Sequence, residues 1–260
     1  MPEDYWSAKD YQRNASFVPK LTKDIVKRIN LSSSDELLDL GCGDGVLTNE
    51  LVSQCRRVVG IDASPDMIKA ARELGLNAYV IPGEKLLDAS EIPSESFDVV
   101  FSNAALHWIM RQPKNRPIVM KGVSRVLRTK GRFVAECGAF GNVSEVVGSI
   151  YSILLALGAT KEQIDQANPW FFGSEDDYTR MLEEAGFHVE YVENISRPTL
   201  LNKDVREWLD TFAQHFYHAF PQWKDIIRET VYNALLVTDC RSDGKWFLQY
   251  RRLRFVAHKE

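Results

Sequence analysis

The spacing of apolar and polar positions changes period several times along the chain. Leu21, Ile25, Val26 and Ile29 recur at helical spacing, and Leu31-Ser32-Ser33-Ser34-Asp35 stops that helix. Short apolar runs then alternate with helical stretches. A strand over 36–40 precedes a helix reaching Gln54, a strand over 57–62 precedes a helix over 65–74, and Gly75 supplies the stop. A third strand, 77–81, leads through a polar stretch to a fourth, 97–102. A helix over 115–127 then reaches the turn Thr129-Lys130-Gly131 and a fifth strand, 132–137. Strands alternating with helices require a parallel sheet covered on both faces by right-handed crossovers, so the pattern predicts an α/β, Rossmann-like doubly wound domain.

After Gly138 the rhythm breaks. An apolar helix (143–157), a polar helix starting near Thr160, the aromatic run Pro169-Trp170-Phe171-Phe172-Gly173 and a helix over 174–185 precede a sixth strand, 187–195. A second excursion, 197–245, contains two helices, the first carrying Trp208, Phe212, Phe216 and Tyr217, before a final strand over 246–258. Ligands of open α/β sheets lie beyond the carboxyl ends of the strands, the edge from which both excursions leave. The expectation is one domain over 1–260: a core of about 21–138, 186–196 and 246–260, a helical cap from insertions 139–185 and 197–245, and an N-terminal lid, 1–20, carrying Tyr5, Trp6, Tyr11 and Phe17.

Composition narrows the function. With 260 residues, 45% hydrophobic and 26% charged, there is enough apolar material for a sizeable core, and disorder is not the default. A net charge of -4 lacks the basic footprint of a nucleic-acid binder. The four cysteines, Cys42, Cys55, Cys137 and Cys240, lie far apart, which argues against a zinc site or a disulfide framework, so no metal is expected. The polar, acidic start and the interrupted apolar segment 143–159 match neither a signal peptide nor a membrane span, so a cytoplasmic protein without membrane partners is expected. The sequence is silent on oligomeric state.

The chemistry centres on Asp39-Leu40-Gly41-Cys42-Gly43-Asp44-Gly45, where a strand passes into three alternating glycines and then a helix. The spacing is not the Gly-x-Gly-x-x-Gly of a dinucleotide fold, and no Gly-Lys-Ser/Thr follows, so neither a nicotinamide cofactor nor a phosphate cradle is favoured. The next strand ends in Gly60-Ile61-Asp62, where a carboxylate can take both hydroxyls of a ribose, although Asp62 could instead cap the helix at Pro65, a task Ser64 would also perform.

Taken with Asp62-Ala63-Ser64-Pro65-Asp66-Met67 and Phe97-Asp98-Val99-Val100-Phe101-Ser102-Asn103, that glycine stretch resembles class I S-adenosylmethionine-dependent methyltransferases over about residues 36–138. The resemblance implies a seven-stranded, mostly parallel sheet whose last strand is antiparallel and pairs with the sixth. It implies S-adenosylmethionine as cofactor, with Asp39, Gly41, Cys42 and Gly43 beside the methionine moiety, Asp62 on the ribose, Ala63, Met67, Gly83 and Glu84 around the adenine, and Asn103 at the sulfonium end. One departure is Ile81-Pro82-Gly83-Glu84, where such enzymes often place an acidic residue directly after the third strand. The stretch Asn103-Ala104-Ala105-Leu106-His107-Trp108 is similar to that of trans-aconitate methyltransferases and related small-molecule enzymes, and Asn/Asp-Pro-Pro-Tyr/Phe, usual in DNA and protein-glutamine methyltransferases, is absent.

The expected function is therefore methyl transfer to a small metabolite, on a carboxylate or hydroxyl oxygen. A carboxylate needs no base, whereas a hydroxyl must lose a proton. His107 is the candidate orienter or base, and Tyr11, His107, Trp108, Trp170 and Arg197 are the candidate acceptor contacts, Arg197 ahead of Arg111 and Arg116 for an acidic acceptor. The alternatives are methylation of a macromolecule and a non-catalytic binding protein of the same fold.

Overall fold

The structure, a computed structural model, describes residues 23–260. The lid segment and Tyr11 lie outside the described residues. Helix α1 (Lys23–Ile29) is followed by β1 (Glu36–Leu40), α2 (Val46–Leu51), β2 (Arg57–Asp62), α3 (Pro65–Glu73), β3 (Ala78–Val80), β4 (Phe97–Asn103), α4 (Leu106–Ile109), α5 (Arg116–Val126) and β5 (Leu127–Gly138). Then come α6 (Ser144–Ala156), α7 (Lys161–Ala167), α8 (Glu175–Glu183), β6 (Phe187–Leu200), α9 (Val205–Phe212), α10 (Gln214–Ala219), α11 (Lys224–Leu235) and β7 (Phe247–Lys259). No helix among the described residues is long and apolar enough to cross a membrane.

The strands form one seven-stranded sheet in the order β3-β2-β1-β4-β5-β7-β6. The first five run parallel, β1 against β2 and β4, β2 against β3, β4 against β5, while β7 pairs antiparallel with β5 from Arg132–His258 to Gly138–Arg252. The order reverses between β1 and β4, which places the glycine turn and the end of β4 at the topological switch point, where α/β sheets bind ligands. Strands β6 and β7 are sheet neighbours as expected, with residues 201–246 between them.

Chain contacts divide the protein into two compact units, 1–140 with 171–195 and 252–260, and 141–170 with 196–251. In the first, central strand positions are buried on both faces. Leu38, Leu40, Val100, Phe133 and Phe255 join α5 and α8 residues such as Val119, Val123 and Tyr178 on one side, and Leu37, Val99, Phe101 and Val134 meet Ile25 and Ile29 on the other. Such near-continuous apolar runs belong to a doubly covered sheet. Helix α8, expected in the cap, groups with this unit, and its Tyr178 stacks on Phe171 with centroids 5.9 Å apart.

The second unit is helical with an aromatic centre. Trp170 lies 6.0 Å from both Trp208 and Phe216, and Trp208 donates through Nε1 to Tyr250 Oη at 2.6 Å. The single helix expected through Trp208 and Tyr217 is two: α9 closes at Ala213 (φ −103°, ψ 14°) and α10 starts beyond it. The break lets both Leu209 and Phe216 reach full burial. Strand β5 starts five residues before its predicted edge because the Thr129-Lys130-Gly131 turn is a bulge inside it: Phe97 pairs with Leu127 and Val99 with Arg132, and Lys130 takes φ 64°.

Candidate active site

The turn after β1 is held from beneath. Gly41 and Cys42 both donate to the carbonyl of Ile61 at 2.8 and 3.0 Å, and Gly45 donates to the carbonyl of Cys42 at 3.1 Å. Gly41, Gly43 and Gly45 all have positive φ, +80°, +55° and +80°. A Cβ on Gly41 would stand 2.2 Å from Cβ of Ala105, so glycine here allows the β1 and β4 loops to touch; one on Gly43 would meet nothing within 4 Å. With the N–H groups of Gly41, Cys42, Gly43 and Gly45 bonded within the protein, the turn is poorly suited to cradling a phosphate.

Carboxylates supply the polarity instead. Asp39 is 2% exposed; its Oδ2 accepts from Thr48 Oγ1 at 2.7 Å, and its Oδ1 is buried with no hydrogen-bond partner. Burial first, opposed by the Thr48 hydroxyl and aided by the charge of Asp62, pushes the Asp39 carboxyl up to about 7. Asp62 accepts from Gly43 N at 3.0 Å and from Ser64 N at 2.9 Å. The cap of α3 falls to Ser64, whose Oγ accepts from Met67 N at 3.2 Å, while Asp62 joins the glycine turn through Oδ2 to the start of the helix through Oδ1. Asn103 Oδ1, at the end of β4, is likewise buried without a partner. Two orphaned acceptors at the switch point fit a ligand that brings N–H donors or positive charge.

The remaining expected cofactor contacts fall around this centre with different prospects. Cys42 offers no free polar group: its amide and carbonyl are bonded, burial pushes its thiol far up, and its side chain packs with Ile68, Ala71, Leu76 and Ala78. Ala63 is exposed and Met67 buried. Gly83 opens a short 3₁₀ turn, where a Cβ would meet Ile109 Cγ2 at 2.6 Å, and Glu84 beside it is half-buried.

Past Asn103 the chain turns through Ala104, a non-glycine residue at φ 55° whose N–H donates to the carbonyl of Glu136 at 2.7 Å. That strained turn launches α4 and buries His107. His107 Nδ1 accepts from Gly138 N at 3.2 Å, its carbonyl accepts from Phe171 N at 2.8 Å, and its ring lies 5.4 Å from Trp108 and 5.8 Å from Phe172. Burial, then the positive charge of Arg252, hold the ring well below the usual histidine range, so it is neutral. With Nδ1 accepting, the ring proton sits on Nε2.

Of the arginines weighed for an acidic acceptor, Arg116 is committed: its guanidinium lies 3.6 Å from the Phe171 ring centre, and Nε donates to the carbonyl of Met110 at 3.1 Å. Arg197, on β6, belongs to the second unit, as does Trp170, which is only 7% exposed among its aromatic neighbours. Sequence reasoning missed Thr48, Gly138 and the buried β5–β7 charges, where Arg254 donates to Glu136 at 2.6 Å and Arg252 sits opposite Gly138. The alternate spacing of Arg252 and Arg254 within the last strand was the available signal.

Residues 38–135 match the methyltransferase domain family profile. The chain is 28% identical over 261 residues to the trans-aconitate 2-methyltransferase of Rhodococcus jostii (strain RHA1), covering 97% of this chain and 98% of that one. Among solved structures, a methyltransferase-type chain from Bacillus halodurans C-125 superposes with TM-score 0.62 at 17% identity, covering 92% of this chain and 99% of that one. Geranyl diphosphate C-methyltransferase from Streptomyces coelicolor A3(2), solved with S-adenosyl-L-homocysteine, superposes with TM-score 0.53 at 14% identity, covering 93% and 79%. Family profile, full-length relatives and fold agree that the chain carries an S-adenosylmethionine-dependent methyltransferase domain, matched over residues 38–135.

Proposed function

We propose that this methyltransferase esterifies a carboxylate of a small polycarboxylic acid. The observation that carries the reading is the state of His107: a buried, neutral ring whose Nδ1 is already an acceptor and whose Nε2 bears the proton. Such a ring donates a hydrogen bond but is a poor proton acceptor, which favours an acceptor that is nucleophilic without deprotonation, as a carboxylate is and a hydroxyl is not. The Rhodococcus relative, named for trans-aconitate, supports the same substrate class.

In this reading Asp39 Oδ1 and Asn103 Oδ1 take the cofactor's donors, Asp62 takes its ribose, and Ala63, Met67, Gly83 and Glu84 border its base. The cofactor supplies, when bound, a methyl group already activated on a sulfonium. What is left to the protein is alignment and exclusion of water. His107 orients the acceptor through Nε2–H and Trp108 forms wall.

The test is incubation of the purified protein with methyl-labelled S-adenosylmethionine and a panel of di- and tricarboxylic acids, trans-aconitate included. The expected product loses its label as methanol under mild alkali, as esters do. A product stable to alkali, or label on a hydroxylated compound without carboxylates, would overturn the reading.

A further inference from the structure

We propose that Ser102 is a positioning residue for the amino-acid end of the cofactor: its hydroxyl ties the end of β1 to the end of β4 and so sets the spacing of the orphaned acceptors on Asp39 and Asn103. The assignment rests on the reading that these two oxygens take the cofactor's donors. The paired register of β1 and β4 runs from Leu37–Val99 to Asp39–Phe101, whereas β1 stays paired with β2 through Leu40–Ile61 and β4 with β5 through Asn103–Glu136. The ladder therefore gives out first between β1 and β4, at the switch point where α/β sheets seat ligands. Across that opening Ser102, fully buried, donates from Oγ to the carbonyl of Leu40 at 2.7 Å.

This bond acts on the site from behind. Side chains alternate across a strand, so Asp39 and Asn103 project from the face that carries Leu37, Val99 and Phe101, and Ser102 from the opposite face. Its influence passes through the backbone. The Leu40 carbonyl belongs to the same rigid peptide unit as the Gly41 N–H, which donates to the carbonyl of Ile61 at 2.8 Å. That unit is held from β4 by its oxygen and from β2 by its N–H, directly after Asp39. On the other strand Asn103 follows Ser102, and Ala104 N donates to the carbonyl of Glu136 at 2.7 Å. Asp39 Oδ1 and Asn103 Oδ1 thus stand on two strand ends joined across the opening by one hydroxyl. Hydrogen bonds weaken steeply when stretched or bent, so two acceptors serve one ammonium group only while their separation is fixed.

The full-length protein is titrated calorimetrically with S-adenosylhomocysteine and with methylthioadenosine, which keeps the adenosine and the sulfur and lacks the amino acid. Wild type is expected to prefer S-adenosylhomocysteine by about 30-fold or more. Ser102→Ala is expected to weaken S-adenosylhomocysteine about tenfold while leaving methylthioadenosine within about twofold. A general structural defect would weaken both ligands alike, and that result overturns the assignment, as does an S-adenosylhomocysteine affinity that Ser102→Ala leaves unchanged. Wild type binding both ligands equally overturns the reading of Asp39 and Asn103 itself and this assignment with it. Where methylthioadenosine binds too weakly to titrate, a double-mutant cycle decides: with Asn103→Ala already in place there is no spacing left to set, so Ser102→Ala should cost less than about twofold, and a full additive loss is contrary to the proposal. Should Ser102→Ala fail to fold, Ser102→Cys keeps the shape with a weaker donor and is expected to weaken S-adenosylhomocysteine alone, by about threefold; a loss shared by both ligands, or no loss, overturns the assignment.

Discussion

At the scale of the residue, the site is governed by a few buried oxygens and the groups that aim them. Thr48 fixes Asp39 by occupying Oδ2, leaving Oδ1 directed by the same rotamer. Thr48→Val keeps the shape and removes the donor; S-adenosylhomocysteine affinity is expected to fall about tenfold by calorimetry, and Thr48→Ser to remain near wild type. The protonation of Asp39 gives a second expectation. Its folded value, about 7, lies above the ordinary 3.8, so its contribution to the ligand-free protein is present in full below pH about 4 and is lost as pH rises through about 7. Urea unfolding of Asp39→Asn beside wild type should show the variant gaining relative stability from pH 4 to pH 8; parallel pH curves would contradict the assigned environment.

At the scale of the element, local sequence signals and tertiary demands separate cleanly. The caps of α3, α7 and α8 were written as Ser64, Thr160 and Ser174, and the last two close full capping boxes with Gln163 and Asp177. The break at Ala213 has no proline or glycine to announce it and comes from the packing of Leu209 and Phe216. The ion pair of β5 and β7 was equally unannounced, since Glu136 and Arg254 stand 118 residues apart. Arg254→Met leaves Glu136 buried without its main partner and is expected to cost about 3–5 kcal/mol in denaturant unfolding, whereas breaking the exposed Lys161–Asp165 pair should leave the unfolding midpoint nearly unchanged.

At the scale of the whole molecule, an acidic chain with a methyltransferase sheet is expected to label small molecules. Cell extract incubated with the protein and methyl-labelled cofactor should carry label in the low-molecular-weight fraction; label confined to protein or RNA would redirect the search for the acceptor. The amino-acid sequence by itself determined the alternation of strands and helices, the glycine turn and the acidic strand ends, because these depend on periodicity and backbone freedom within a few residues. Only the tertiary structure decided which oxygens are satisfied, that Ser64 and not Asp62 caps α3, that Cys42 faces the core, and that Gly138 fixes the tautomer of His107. Those outcomes depend on strand register and burial, which join residues far apart in the chain and have no signature in the local sequence of either partner.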